Sequence, residues 1–226
     1  MIIAAHQPNF LPYLGLFYKI KKCEKFIFVD DVQFTNQNGV AQHRNYIKTS
    51  QGKLLIHVPV HRSSTSLIKD VTIDYTSNWI KKLGRTLYVT YGKALCYDEV
   101  NSWFMGILNR RYSYLSQLNM AIITEVCARW GWNIPFDITS RYDISGKKEE
   151  KVVNLVEFFG GTVYYSGKGA AVYLSDEAFN DRGITLKFSD YCPHEYHQLW
   201  GMFIPNLSVL DYLMNCGFMD PFENTN

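Results

Sequence analysis

The stretch His6-Gln7-Pro8-Asn9-Phe10-Leu11-Pro12 places an imidazole and two carboxamides against two prolines. Proline fixes φ, so polar side chains in such a loop lose less entropy when held in place. His6 could act there as a general base or donate to a developing oxyanion. The plainer alternative is a histidine that only ends a strand. Gln7 and Asn9 offer further donors and acceptors to a bound molecule. A second polar group follows at Asp30-Asp31-Val32-Gln33-Phe34. Paired carboxylates can bind a metal, orient an amine or serve as a base. They can also cap a turn and face solvent. Arg44-Asn45-Tyr46-Ile47-Lys48 sets two cations around an amide, which suits a phosphate or carboxylate, or a charged hairpin face. Ser166-Gly167-Lys168-Gly169 could form a small anion nest from backbone N–H groups, with Tyr173 just beyond it. The spacing is not that of a Walker A loop.

These residues need elements to carry them. Met1 to Ala5 is a short apolar run that predicts a buried strand ending at His6. Leu14, Phe17, Tyr18 and Lys21 predict an amphipathic helix over Tyr13 to Lys25 with a basic outer face. Phe26 to Val29 predicts a second strand, ending at Asp30. The unit is βαβ, which implies a parallel sheet and a right-handed crossover. Ligands of open parallel sheets sit beyond the carboxyl ends of the strands, so His6, Gln7, Asp30 and Asp31 should converge on one cleft. Further strands are expected at Leu54–Pro59, Val71–Asp74, Val163–Tyr165 and Ile184–Phe188, with an extended stretch at Ile134–Ile138. Helices are expected at Trp79–Tyr91, at Lys147–Phe159 before Gly160, and at Val209–Met214, with one or two more over Val100–Gly131. Ser208 with Asp211 fits a capping box variant, and Gly217 should stop the last helix. The fold class is α/β: a Rossmann-like, mostly parallel sheet flanked by helices, with additional helices in the middle and at the C-terminus. No repeat or linker divides the chain, so residues 1–226 are expected to form one domain.

Composition narrows the class. The chain has 226 residues with 47% hydrophobic and 19% charged, which is globular rather than disordered. A net charge of +2 gives no global basic field for nucleic acid. Lys19, Lys21, Lys22 and Lys25, Arg110 with Arg111, and Lys147, Lys148 and Lys151 cluster locally, and such clusters are usually solvated helix faces. The 16 Tyr and 14 Phe could fill a core or stack on a sugar or base. The 5 cysteines show no CxxC spacing, so neither a disulfide framework nor a zinc site is expected. No signal peptide and no long apolar run is present, which predicts a cytoplasmic chain without membrane insertion. No GxGxxG follows the first strand, so a dinucleotide is not expected. No cofactor and no bound metal is predicted.

The opening motifs through Asp30-Asp31-Val32-Gln33-Phe34 and Arg44-Asn45-Tyr46-Ile47-Lys48 resemble the WbqC-like family. The likeness continues through Val58-Pro59-Val60, Trp79 and Tyr164-Tyr165-Ser166-Gly167. It closes at Tyr196-His197-Gln198 and at Leu207 to Gly217, covering nearly the whole chain. His43 stands where the family pattern has Asn. The resemblance implies a bacterial protein of surface-polysaccharide loci, in a family described as glycine transferases acting on an amino sugar of the O-antigen. Joined to the residue reading above, it gives as the first hypothesis an acyl or aminoacyl (glycine) transferase with His6, Asp30 and Asp31 at the strand ends as catalytic residues. Gln7, Asn9, Gln33, Arg44, Asn45, Lys48, Ser166, Gly167, Tyr173 and Gln198 would contact substrate. The partners would be a nucleotide-linked sugar and an acyl or aminoacyl donor, with an aminoacyl-tRNA donor as the one nucleic acid in view. Two alternatives stand beside it. One is a non-catalytic sugar-nucleotide binding protein. The other is a nucleotidyl- or adenylate-forming enzyme, because the βαβ start also resembles nucleotidyltransferases of the HIGH type, although Asn9 and Phe10 stand where a second His would be.

Overall fold

Ile3 pairs with Lys25 on one side and with Tyr164 on the other, and the sheet grows from that strand. The structure, a computed structural model, describes residues 1–35 and 42–223. In chain order its elements are β1 (Ile2–His6), α1 (Leu14–Lys21), β2 (Lys25–Phe28), β3 (Arg44–Thr49), β4 (Gly52–His57), β5 (Val60–His61), β6 (Thr72–Ile73), α2 (Trp79–Tyr91), α3 (Tyr97–Asn109), α4 (Leu115–Arg129), β7 (Phe136–Ile138), α5 (Lys148–Phe158), β8 (Val163–Ser166), α6 (Asp176–Asn180), β9 (Thr185–Phe188) and α7 (Val209–Cys216). The central sheet has five strands in the order β7-β2-β1-β8-β9, and every pair in it is parallel. The fold is therefore α/β with a wholly parallel central sheet.

Parallel strands covered on both faces carry continuous apolar runs rather than alternation. Ala4, Phe26 and Phe28 enter one core with α1, α2, α3, α4 and α7. Ile3, Ala5 and Ile27, on the opposite face, enter a second core with α5 and α6. β1 and β2 pair in register from Ile3↔Lys25 to His6↔Phe28, which brings the ends of both strands to one edge.

Four expectations change. Helix α1 is shorter than the periodicity suggests, because Cys23 N–H turns back to the Ile20 carbonyl and Glu24 N–H bonds the Ile2 carbonyl, drawing the chain into β2. It also has no basic outer face over most of its length: Leu14 through Ile20 are all buried, Lys19 among them. The Leu54–Pro59 segment does form a strand, but β4 pairs only with β3 in a separate antiparallel hairpin. Finally, the Ser208 hydroxyl makes no cap bond and is buried without a partner among the described residues. Asp211 turns inward instead, accepting from Tyr91 Oη at 2.6 Å and Tyr196 Oη at 2.8 Å. The remaining predicted helices form, with two across the Val100–Gly131 stretch; α6 had no counterpart in the sequence reading. No helix among the described residues is long and apolar enough to cross a membrane.

Candidate functional site

From β1 the chain builds outward through β2 to β7, then returns to the other side of β1 to add β8 and β9. The order therefore reverses between β1 and β8. At such a switch point the loops leave in opposite directions and open a crevice at the carboxyl edge. A cavity of about 750 Å³ lies there.

The floor is the end of β1 and the start of its loop. His6 Nδ1 lies 2.8 Å from the Gln7 carbonyl. A carbonyl only accepts, so Nδ1 carries the proton and Nε2 keeps its lone pair. Burial and the charge of Lys19 hold the His6 pKa down at about 3. Lys19 also lines the cavity, donates to the Ala5 carbonyl at 2.8 Å, and is brought down to about 8 by burial.

The loop behind this floor is held through its carbonyls. Asn119 Nδ2 donates to Pro8 O at 2.8 Å and to Gln42 O at 2.7 Å. Asn45 Nδ2 donates to Leu11 O at 2.6 Å, and Val209 N–H to Pro12 O at 2.9 Å. Gln42 Nε2 donates to Gln7 Oε1 at 2.6 Å. With two prolines and these clamps, the His6 imidazole sits on a preorganised support.

The two walls differ. On the α1 side stand Tyr13 and Tyr191, whose ring centroids are 6.0 Å apart at 70°. Their rings lie over the first turn of α1: a Cβ on Gly15 would collide with the Tyr13 ring and come within 2.8 Å of Tyr191. On the α5 side stand Lys148 and Lys151, with Lys168 in the Ser166-Gly167-Lys168-Gly169 turn after β8. Lys148 has φ +52, a conformation side-chain-bearing residues seldom adopt. Among the described residues no aspartate or glutamate lines the cavity, so its charged lining is cationic.

Of the residues singled out from sequence, His6, Gln7, Ser166, Gly167 and Tyr173 line this cavity. Asp30 and Asp31 follow β2 as expected but do not line it. Asp30 is buried and accepts from Ser140 N–H at 3.1 Å and Ser140 Oγ at 2.9 Å. Asp31 accepts from Thr139 Oγ1 and from Lys151 Nζ, both at 2.6 Å, so it orients a lysine of the wall. Asn9 Oδ1 is buried without a partner among the described residues. Gln33 donates to the Ser64 carbonyl at 2.9 Å, outside the cavity. Arg44 belongs to β3, opposite His57. Lys48 donates to Gly201 O at 3.1 Å and Met202 O at 2.6 Å, and Gln198 exchanges two bonds with Ile204. These last residues hold the C-terminal segment rather than the cleft. Lys19, Lys148, Lys151, Tyr13 and Tyr191 also line the cleft, and no motif in the sequence marks them as site residues. The lysine clusters were visible as charge; which of those charges turn toward a cleft depends on the burial of α1 and the position of α5.

The depressed imidazole has a measurable consequence. Between about pH 6.5 and 3 the unfolded chain binds a proton at His6 that the folded chain refuses. Stability present above pH 6.5 is therefore lost as the pH falls toward 3. The open cleft screens part of this, leaving on the order of 2 kcal/mol. His43, lowered to about 4 by burial and by Arg44, acts in the same direction. In urea titrations His6→Gln should flatten the acid arm of stability while His43 keeps its share. An unchanged acid arm would mean that His6 ionises normally.

No solved structure matches the chain. The uncharacterized protein Rv1507c of Mycobacterium tuberculosis (strain ATCC 25618 / H37Rv) is 33% identical over 223 residues, covering 97% of this chain and 95% of that protein. The WbqC-like protein family model matches residues 7–221, from the loop on the cleft floor to the segment after α7, and the chain belongs to that family.

Proposed function

We propose that the chain is a transferase of surface-polysaccharide assembly that joins glycine, or a similar small acyl group, to the amine of a nucleotide-linked amino sugar. The observation that supports this best is a cleft whose charged lining among the described residues is all lysine, with a neutral imidazole on its floor. Lysines suit the phosphates of a sugar nucleotide, and tyrosines suit its rings. In the transfer, the amine nitrogen attacks the acyl carbonyl, the C–N bond forms and the bond to the donor's leaving group breaks. The amine arrives deprotonated and hydrogen-bonds to His6 Nε2, which takes the proton released on attack. A nearby phosphate raises the imidazole pKa for that step. With Nδ1–H committed to the Gln7 carbonyl, His6 has no proton for the oxyanion, and Lys19 fills that role. Asp31 acts through Lys151 rather than on the substrate.

The test is a mass measurement. The protein is incubated with nucleotide-linked amino sugars, ATP, Mg²⁺ and glycine or glycyl-tRNA. The expected product is a sugar nucleotide heavier by one glycyl residue. Pyrophosphate release with no such product would point to an adenylate-forming enzyme. Ligand-induced thermal stabilisation with no new mass would point to a binding protein.

A further inference from the structure

In dinucleotide-binding sheets of this order, the phosphates rest on the N-terminus of the helix after the first strand. That seat is covered here. Tyr13 caps α1, and its ring with that of Tyr191 occupies the space beside Gly15. The cations stand across the cavity, on Lys148 and Lys151 of α5 and on Lys168 after β8. The two helices pack on opposite faces of the sheet and present both N-terminal ends at its carboxyl edge.

We infer that the cleft has two separate subsites for a nucleoside diphosphate group: a diphosphate subsite made by Lys148 and Lys168 with the Gly167–Gly169 turn, and a ring subsite made by Tyr13 and Tyr191 over Gly15. The ligand lies across the end of β1, with its phosphates toward α5 and a ring toward α1. His6 and Lys19 lie beneath the crossing. Lys151, tied to Asp31 at 2.6 Å, adds direction to the diphosphate wall with little added net charge. This ligand class rests on the proposed function; the placement of the two subsites rests on the cavity.

The experiment titrates the whole chain by calorimetry with inorganic pyrophosphate and, separately, with uridine diphosphate. Neither probe carries an acyl group, so binding is read independently of transfer. Lys148→Met and Lys168→Met should each weaken both probes roughly tenfold, the loss of one charge-assisted contact. Tyr13→Ser should weaken uridine diphosphate roughly tenfold and leave pyrophosphate within about twofold. Gly15→Ala, which displaces both rings, should repeat the Tyr13 pattern, and melting curves establish that each variant is folded. Lysine variants that hold pyrophosphate as tightly as the wild type would overturn the diphosphate subsite. Equal loss of both probes in Tyr13→Ser would overturn the ring subsite. A wild-type chain that binds neither probe would overturn both. Binding as described with no glycyl product would leave the subsites standing and remove the transfer reaction.

Discussion

Asp211→Ala should lower the unfolding free energy by about 3–5 kcal/mol, the usual loss when one member of a buried charged network is removed. Asp211 is fully buried in α7 and receives the hydroxyls of Tyr91 and Tyr196. Burial raises its pKa, while the two hydroxyls and the charge of Lys48 favour the carboxylate. Lys48 is itself 1% exposed, so with Asp211 gone its ammonium loses the nearby negative charge, and the buried Tyr91 hydroxyl and the half-buried Tyr196 hydroxyl lose their acceptor. Asp211→Asn keeps the shape and one acceptor oxygen, and should cost about half as much. Replacing Lys48 and Asp211 together by Met and Leu should recover part of the loss, because an apolar pair leaves no orphaned charge. Urea unfolding reads all three variants. An unchanged midpoint for Asp211→Ala would show that the network does not hold α7.

The same residues show what the sequence can and cannot disclose. Leu207 through Gly217 is a distinctive stretch, and Ser208 with Asp211 looks like a helix cap. In the structure Asp211, Gln198 and Lys48 bond one another's neighbourhoods and clamp the 198–204 segment. Distinctive spacing therefore marks a place where polar groups must be satisfied, which can be a core as well as a site. The sheet was more legible. Ile-Ile-Ala-Ala and Phe-Ile-Phe are continuous apolar runs, as parallel pairing under two helical layers demands, and βαβ connectivity alone placed His6 and Asp30 on one edge. Convergence on an edge did not mean a shared cleft, because β7 adds beyond β2 and the turn after it, at Thr139 and Ser140, takes up the aspartates. Lys19 was hidden for the opposite reason. Its helix is buried on all sides, which a period-3.6 pattern with one basic stripe does not announce.

His6→Ala should reduce glycyl transfer by roughly 10²–10⁴-fold, the range for loss of a positioned acid or base. On the proposed reaction the loss should fall on kcat more than on KM, because lysines on the wall would hold the ligand's charges and the imidazole would meet only the attacking amine. His6→Gln offers the amine an acceptor that takes no proton, so it should recover binding order without recovering the rate. The pH profile of kcat/KM separates the two floor residues. With the free-enzyme imidazole at about 3, no acid limb should appear near pH 6.5 from His6. A basic limb should appear near pH 8, where Lys19 loses its proton and with it the charge proposed to stabilise the oxyanion. The sign is fixed by Lys19 being active as the cation: activity is present below its pKa and lost as the pH rises through it. An acid limb at pH 6.5 that His6→Gln abolishes would show that His6 ionises like a solvated imidazole. Turnover in His6→Ala equal to that of the wild type would remove His6 from the chemistry and shift attention to Lys19 beside it on the cleft floor.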